Sequence, residues 1–253
     1  MDQSHISRRN LLKSGSVLAA ASVVGFGGMF GTRAMAQGTP ETAQDVINIA
    51  ATAELFASTH YLRALDKGTK AKFAEGELSY LKAGLEQEYF HYTFLVSLGA
   101  KALTDKFYFP VGTFNDKKTF ATVTGIAETV FVGAYLAAIH TFATLGMPEN
   151  AAIAGQVLGT EAQHLLFMNQ LAGVNPPNNL GIMAAPFYEV KDAVPVVSPL
   201  LDGKEGALGK METDAVAAPT ADAVLKAIGG KSLLLTKLAA PFGTAIAPFA
   251  KKK

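Results

Sequence analysis

Leu85-x-x-Glu88-x-x-His91-x-x-Phe94-Leu95-x-x-Leu98 returns 73 residues later as Leu158-x-x-Glu161-x-x-His164-x-x-Phe167-Met168-x-x-Leu171. An upstream segment is repeated as well: Glu54-x6-Tyr61-Leu62-x-Ala64-Leu65 recurs, displaced by 74, as Glu128-x6-Tyr135-Leu136-x-Ala138-Ile139. The chain therefore carries two copies of one module, a Glu segment followed some 33 or 34 residues on by a Glu-x-x-His segment. An internal repeat of this kind governs the reading of the whole architecture.

All four segments read as helices. Leu81, Leu85, Glu88, Tyr92, Leu95 and Leu98 recur at steps of three and four, which sets them along one helix face. Ile153, Val157, Glu161, His164, Met168 and Leu171 do the same. Asp66-Lys67-Gly68 and Gly146-Met147-Pro148 supply stops and short turns, so the first and second helices, and the third and fourth, are antiparallel neighbours. Between the second and third, Gly99 to Lys118 contains Phe107-Tyr108-Phe109-Pro110 and Gly112 and predicts a long non-helical connection running the length of a bundle. The expected fold is all-α, a four-helix bundle with one long crossover.

Glu54, Glu88, Glu128 and Glu161 each fall on the apolar stripe of their helix, where an unpartnered ionised carboxylate costs several kcal/mol. Four such costs would exhaust a domain stable by about 5 to 15 kcal/mol. A pair of divalent cations removes the problem, with two neutral imidazoles completing the coordination. The chain has no cysteine, so any metal must be held by His, Asp and Glu. The i to i+3 spacing leads us to expect that Glu88 with His91, and Glu161 with His164, each grip the same ion while Glu54 and Glu128 bridge or cap.

From Gln37 to Val174 these motifs resemble the ferritin-like superfamily. The crossover Phe107-Tyr108-Phe109-Pro110-x-Gly112-Thr113-Phe114, together with Glu161-Ala162-Gln163-His164, is similar to the bacterial and plant desiccation-related branch. The resemblance implies two Fe or two Mn ions per chain, held by Glu54, Glu88, His91, Glu128, Glu161 and His164, with O2 or H2O2 as the reacting partner. It implies either an oxidoreductase, ferroxidase-like or peroxide-reducing, or a stress-protective or structural scaffold with a vestigial or structural metal site. The superfamily includes ferritins, rubrerythrins, manganese catalases and di-iron oxygenases, so the fold alone leaves the reaction open.

Tyr61 and Tyr135 lie seven positions after their glutamates, on the same face and roughly 10 Å along the axis. They either hydrogen-bond a ligand from a facing helix or relay an electron, or they are core residues with satisfied hydroxyls. Tyr89 and Tyr92 flank His91 with the same ambiguity. His60 and His140 read as surface or interface histidines, and Glu86, two positions from Glu88, as part of a solvated face.

Residues 1 to 36 read as an export signal. Arg8-Arg9 precedes an apolar stretch from Ser16 to Phe30 that is rich in glycine, and Ala34-Met35-Ala36 fits a peptidase site that would leave Gln37 as the mature N-terminus. The paired arginines resemble a twin-arginine signal, whose pathway carries folded proteins, so a periplasmic or otherwise exported location without a stable membrane span after cleavage is expected. Removing this segment leaves 18 basic against 20 acidic residues, a balance that offers nothing to nucleic acid or an anionic surface. Residues 175 to 253 form a Pro/Gly-rich extension packing on the bundle or a partner, a homo-oligomer being compatible. Val194-Pro195-Val196-Val197-Ser198-Pro199 reads there as extended chain, Asp222 to Ile228 as a short helix and Ser232 to Lys237 as the start of another.

Overall fold

The computed structural model describes residues 40–66, 71–206 and 208–234. The expected export signal and cleavage site, in residues 1–36, and the tail beyond Leu234 lie outside the described residues. The fold is all-α. Four long helices carry the repeated segments: α1 (Ala43–Leu65), α2 (Glu75–Ser97), α3 (Lys117–Thr144) and α4 (Pro148–Leu171).

Each helix starts where the sequence supplies a cap. Thr42 accepts from the Asp45 amide while the Asp45 carboxylate accepts from the Thr42 amide, a reciprocal pair at the head of α1. Glu77 accepts from the Ala74 amide at the head of α2, and Asp116 accepts from the Thr119 amide at the head of α3. Such caps contribute about 1 kcal/mol each. Pro148 opens α4 in the first turn, where no amide hydrogen is needed, after a turn at Gly146 with φ of 70°. The short turn lays α4 back along α3, as α2 lies back along α1.

By length and composition α3 is apolar enough to cross a membrane, and over half of its most apolar stretch is buried inside the bundle. It packs on α4, α1 and the extension.

The crossover is pinned by the extension. A two-residue strand, β1 (Lys106–Phe107), pairs antiparallel with β2 (Val216–Ala217), and the Tyr108, Val111 and Glu212 amides donate to Leu200, Lys210 and Phe109 carbonyls. Phe107 and Phe109 are fully buried and meet Phe56 at ring-centroid distances of 5.6 and 5.5 Å.

The stretch expected to be extended is helical instead. A 3-10 turn (Val190–Ala193) leads into α5 (Val194–Asp202), which covers the flank between α1 and α3. Pro195 sits in the first turn, where it costs nothing, and the Pro195 carbonyl that Pro199 leaves without an amide partner accepts from the Ser198 hydroxyl. Buried Glu41 anchors the 3-10 turn from below, its carboxylate accepting from the Val190 and Lys191 amides at 3.0 and 2.6 Å. Farther on, α6 (Ala221–Ile228) packs against α2. Ser232 to Leu234 is not helical; the rest of that expected helix lies outside the described residues.

Candidate metal centre

The bundle interior brings the six singled-out side chains together. Glu54 comes from α1, Glu88 and His91 from α2, Glu128 from α3, and Glu161 and His164 from α4, and none is more than 7% exposed. Two groups of ligand atoms form: Glu54, Glu88, His91 and Glu161, then Glu88, Glu128, Glu161 and His164, the atoms of each group lying within 4.8 Å of one another. Glu88 and Glu161 belong to both groups, whereas Glu54 and Glu128 belong to one each. The expected sharing is thus altered: the glutamates of the Glu-x-x-His pairs stand between the two groups, and the lone glutamates stand at the ends.

Each histidine crosses to other helices. His91 Nδ1 lies 3.2 Å from Glu54 Oε2 and 3.3 Å from Glu161 Oε1. His164 Nδ1 lies 2.7 Å from Glu88 Oε1 and 3.4 Å from Glu161 Oε2. The short approach to Glu88 lacks hydrogen-bonding direction, so both atoms remain without a hydrogen-bond partner.

The tyrosines exchange between modules. Tyr61 donates to Glu128 Oε1 at 2.9 Å, and Tyr135 donates to Glu54 Oε1. Each hydroxyl therefore satisfies one oxygen of a carboxylate carried by the other module and is not a bystander in the core. Burial, reinforced by the negative field of the carboxylates, pushes both phenols well above their ordinary value and keeps them neutral donors. Tyr89 and Tyr92 pack against each other, half-buried, outside the two groups.

Gln87, which the spacing argument does not single out, accepts through Oε1 from His164 Nε2–H at 2.8 Å. That bond leaves His164 Nδ1 as the bare lone pair facing the carboxylates. The pairing joins α2 to α4, so no spacing within one helix could disclose it.

His60 is a correction. It is buried, not on a surface, because Phe109 and Phe114 of the crossover and Phe120 of α3 close over the flank on which it sits. Thr124 spends its hydroxyl hydrogen on the Phe120 carbonyl, so His60 Nε2–H donates to Thr124 Oγ1 at 2.7 Å and Nδ1 has no partner. Burial lowers its pKa to about 3, so it is neutral. His140 is exposed beside Tyr188. Glu86 points away from the two groups and is half-buried, accepting from the Leu233 amide at 2.7 Å.

Whether these residues suit a metal pair can be judged from their unmet needs. The buried polar atoms without hydrogen-bond partners are both oxygens of Glu88 and of Glu161, Glu128 Oε2 and His164 Nδ1, together with His60 Nδ1 outside the cluster, among the described residues. All but the last are candidate ligand atoms. Burial and repulsion from Glu161 push Glu88 and Glu128 well above the usual carboxylate range. Burial opposes the charges of His91 and Glu161 too, yet the field of Glu54 raises His91 to about 10, and the imidazoles of His164 and His91, 3.4 and 3.3 Å away, hold Glu161 low. Without cations the cluster must keep protons it would otherwise release, and an oxygen- and nitrogen-rich set with open valences fits hard or borderline divalent ions.

No curated protein and no solved structure matches the chain. The sequence profile of the ferritin-like domain matches residues 42–174, which span α1 to α4 and every residue of the two groups. By its length and by what it encloses, that match makes the chain a member of the ferritin-like domain family.

Proposed function

We propose that the chain is exported and that its bundle holds two iron or two manganese ions, which deliver electrons to O2 or H2O2. The observation that supports this most is the set of buried carboxylate oxygens and imidazole nitrogen left without hydrogen bonds at the centre of the bundle. In this reading Glu54 and His91 would hold one ion and Glu128 and His164 the other, with Glu88 and Glu161, which belong to both groups, available to either. A reduced metal pair held there would supply two electrons, with which O2 and two protons would give H2O2, and H2O2 and two protons would give two waters.

The chain's own residues prepare that chemistry. Tyr135 and Tyr61 each occupy one oxygen of Glu54 and Glu128, orienting the other toward the centre. Gln87 fixes the His164 tautomer. Glu88 and Glu128 release protons when cations arrive and can take them back as charge on the site falls. The apolar jacket of Leu81, Leu85, Val157 and Met168 excludes water.

Arg8-Arg9 and Ala34-Met35-Ala36 support export in the folded state, which lets metal be acquired before secretion. Replacing Arg8 and Arg9 with lysine should retain an unprocessed chain in the cytoplasm, whereas the normal product should begin at Gln37. For the redox role, anaerobic Fe(II)-loaded protein should consume O2 or H2O2 faster than free Fe(II), and Glu128→Ala should abolish the advantage. Metal that stays bound while neither oxidant reacts would make the bundle a structural scaffold.

A further inference from the structure

The two modules place equivalent ligands but not equivalent neighbours. By the repeat offsets, His60 corresponds to Ala134 and Gly84 to Val157. At the Glu128 end His60 fills an aromatic cage, and the Tyr61 ring lies so close to α2 that a Cβ on Gly84 would meet it at 3.2 Å. That end is packed shut. At the Glu54 end the small Ala134 leaves space, and a cavity of about 50 Å³ lies between α1, α3 and α5. Its inner wall includes Tyr135, the donor to Glu54. A second cavity of about 30 Å³ shares Val46, Ala50, Tyr135 and Ala138 with the first and touches His91 itself.

Both cavities are lined almost wholly by carbon. In the larger one the two polar side chains are already committed: the Tyr135 hydroxyl to Glu54, and Thr52 Oγ1 to the Asn48 carbonyl and the Leu103 amide. Spaces with apolar walls of this kind offer water few partners and take up small non-polar molecules, and each exceeds the roughly 10 to 15 Å³ that one water needs.

We propose that these cavities are the access route and holding site for dioxygen, which therefore reaches the centre from the Glu54, His91 and Tyr135 end. The inference rests on the redox reading above and selects between its two oxidants. Dioxygen has no hydrogen bonds to surrender on entering, whereas H2O2 would leave its donors and acceptors unpaired, at a cost of roughly 2 kcal/mol or more per group. Hydrogen peroxide is then the product that departs by another way, each of two ions having given up one electron and the solvent two protons. The outer wall includes Val194 and Val197 of α5, so the extension lies over a partly open space on this face of the bundle instead of filling it.

Xenon serves as the probe, applied under pressure to the protein as isolated and followed by methyl NMR. Saturable shifts are expected at Ala53, Ala134 and Ala193, and those at Ala53 and Ala193 should vanish in Ala134→Leu and in Val197→Phe, which fill the larger cavity from opposite walls. In Fe(II)-loaded protein both variants should slow oxidation by O2 several-fold while leaving metal content and oxidation by H2O2 unchanged. Absence of xenon shifts in the wild type, or equal slowing with both oxidants, overturns the route while the redox reading stands. Xenon uptake with no reaction toward either oxidant overturns the redox reading and with it dioxygen as the occupant.

Discussion

The two ends of the cluster carry the same residue types, yet one is braced and the other is open. At the Glu128 end His164 is hydrogen-bonded to Gln87 and stands 5.8 Å from the Tyr61 ring, which packs directly on α2. At the Glu54 end the residue equivalent to Gln87 is Thr160, and His91 Nε2 has no protein partner among the described residues. Duplication preserved the inward-facing ligands because all four helices need the same charge compensation. The residues one layer out differ, and their difference gives close packing on one side and apolar space on the other.

The largest effect should separate the shared glutamates from the terminal ones. Glu88→Ala or Glu161→Ala removes atoms common to both groups and should abolish metal binding in equilibrium dialysis. Glu54→Ala or Glu128→Ala should leave one ion bound, and Glu86→Ala should leave binding intact. Equal losses at all four positions would erase the distinction between centre and ends.

Next in size is the bracing itself. Gln87→Leu frees His164 to rotate and should weaken metal binding by about 10- to 100-fold, the usual cost of losing the partner that orients a ligand. Thr160→Val, at the matching position, should change little. Isothermal titration with Mn(II) measures both, and parity between the variants would show that the ends do not differ in this way.

A third effect is pH-dependent. In the metal-free protein His91 is raised to about 10, and Glu88 and Glu128 are raised as well, so the folded state holds protons that the unfolded chain has released above about pH 6.5. Stability should therefore fall as pH rises from 7 to 9, by about 1.4 kcal/mol per pH unit for each retained proton. His60, lowered to about 3, works in the opposite sense only below its unfolded value and leaves this window clear. With metal bound the same ligands must be deprotonated, so the slope should vanish or reverse. Thermal melts with and without Mn(II) across the window provide the check.

Smallest of all should be His60→Phe. It keeps the cage filled and removes the orphaned Nδ1, so its cost should stay within about 1 kcal/mol in chemical denaturation. A larger loss would show that the His60 to Thr124 hydrogen bond, not ring packing, holds this flank.

The repeat discloses the bundle and the convergence of six side chains because helical periodicity turns spacing directly into direction. What it cannot disclose is anything that comes from outside the four helices. His60 reads as surface on a bare helix wheel, since its burial is supplied by Phe109 and Phe114 of a non-helical crossover. Glu88 and Glu161 stand between the groups because of how α2 faces α4, a relation between helices that i to i+3 spacing does not contain. Val194 to Pro199 reads as extended because proline interrupts helices, yet Pro195 falls in a first turn, where proline is at home.

The claim on which everything else depends is that the cluster binds a pair of ions. Metal content per chain, measured on protein purified from its own cells and again after anaerobic addition of Fe(II) or Mn(II), tests it most directly. The account predicts about two iron or manganese ions per chain, as the paired ligand pattern requires. A chain that binds none after anaerobic loading, and melts at the same temperature with and without metal, would contradict it.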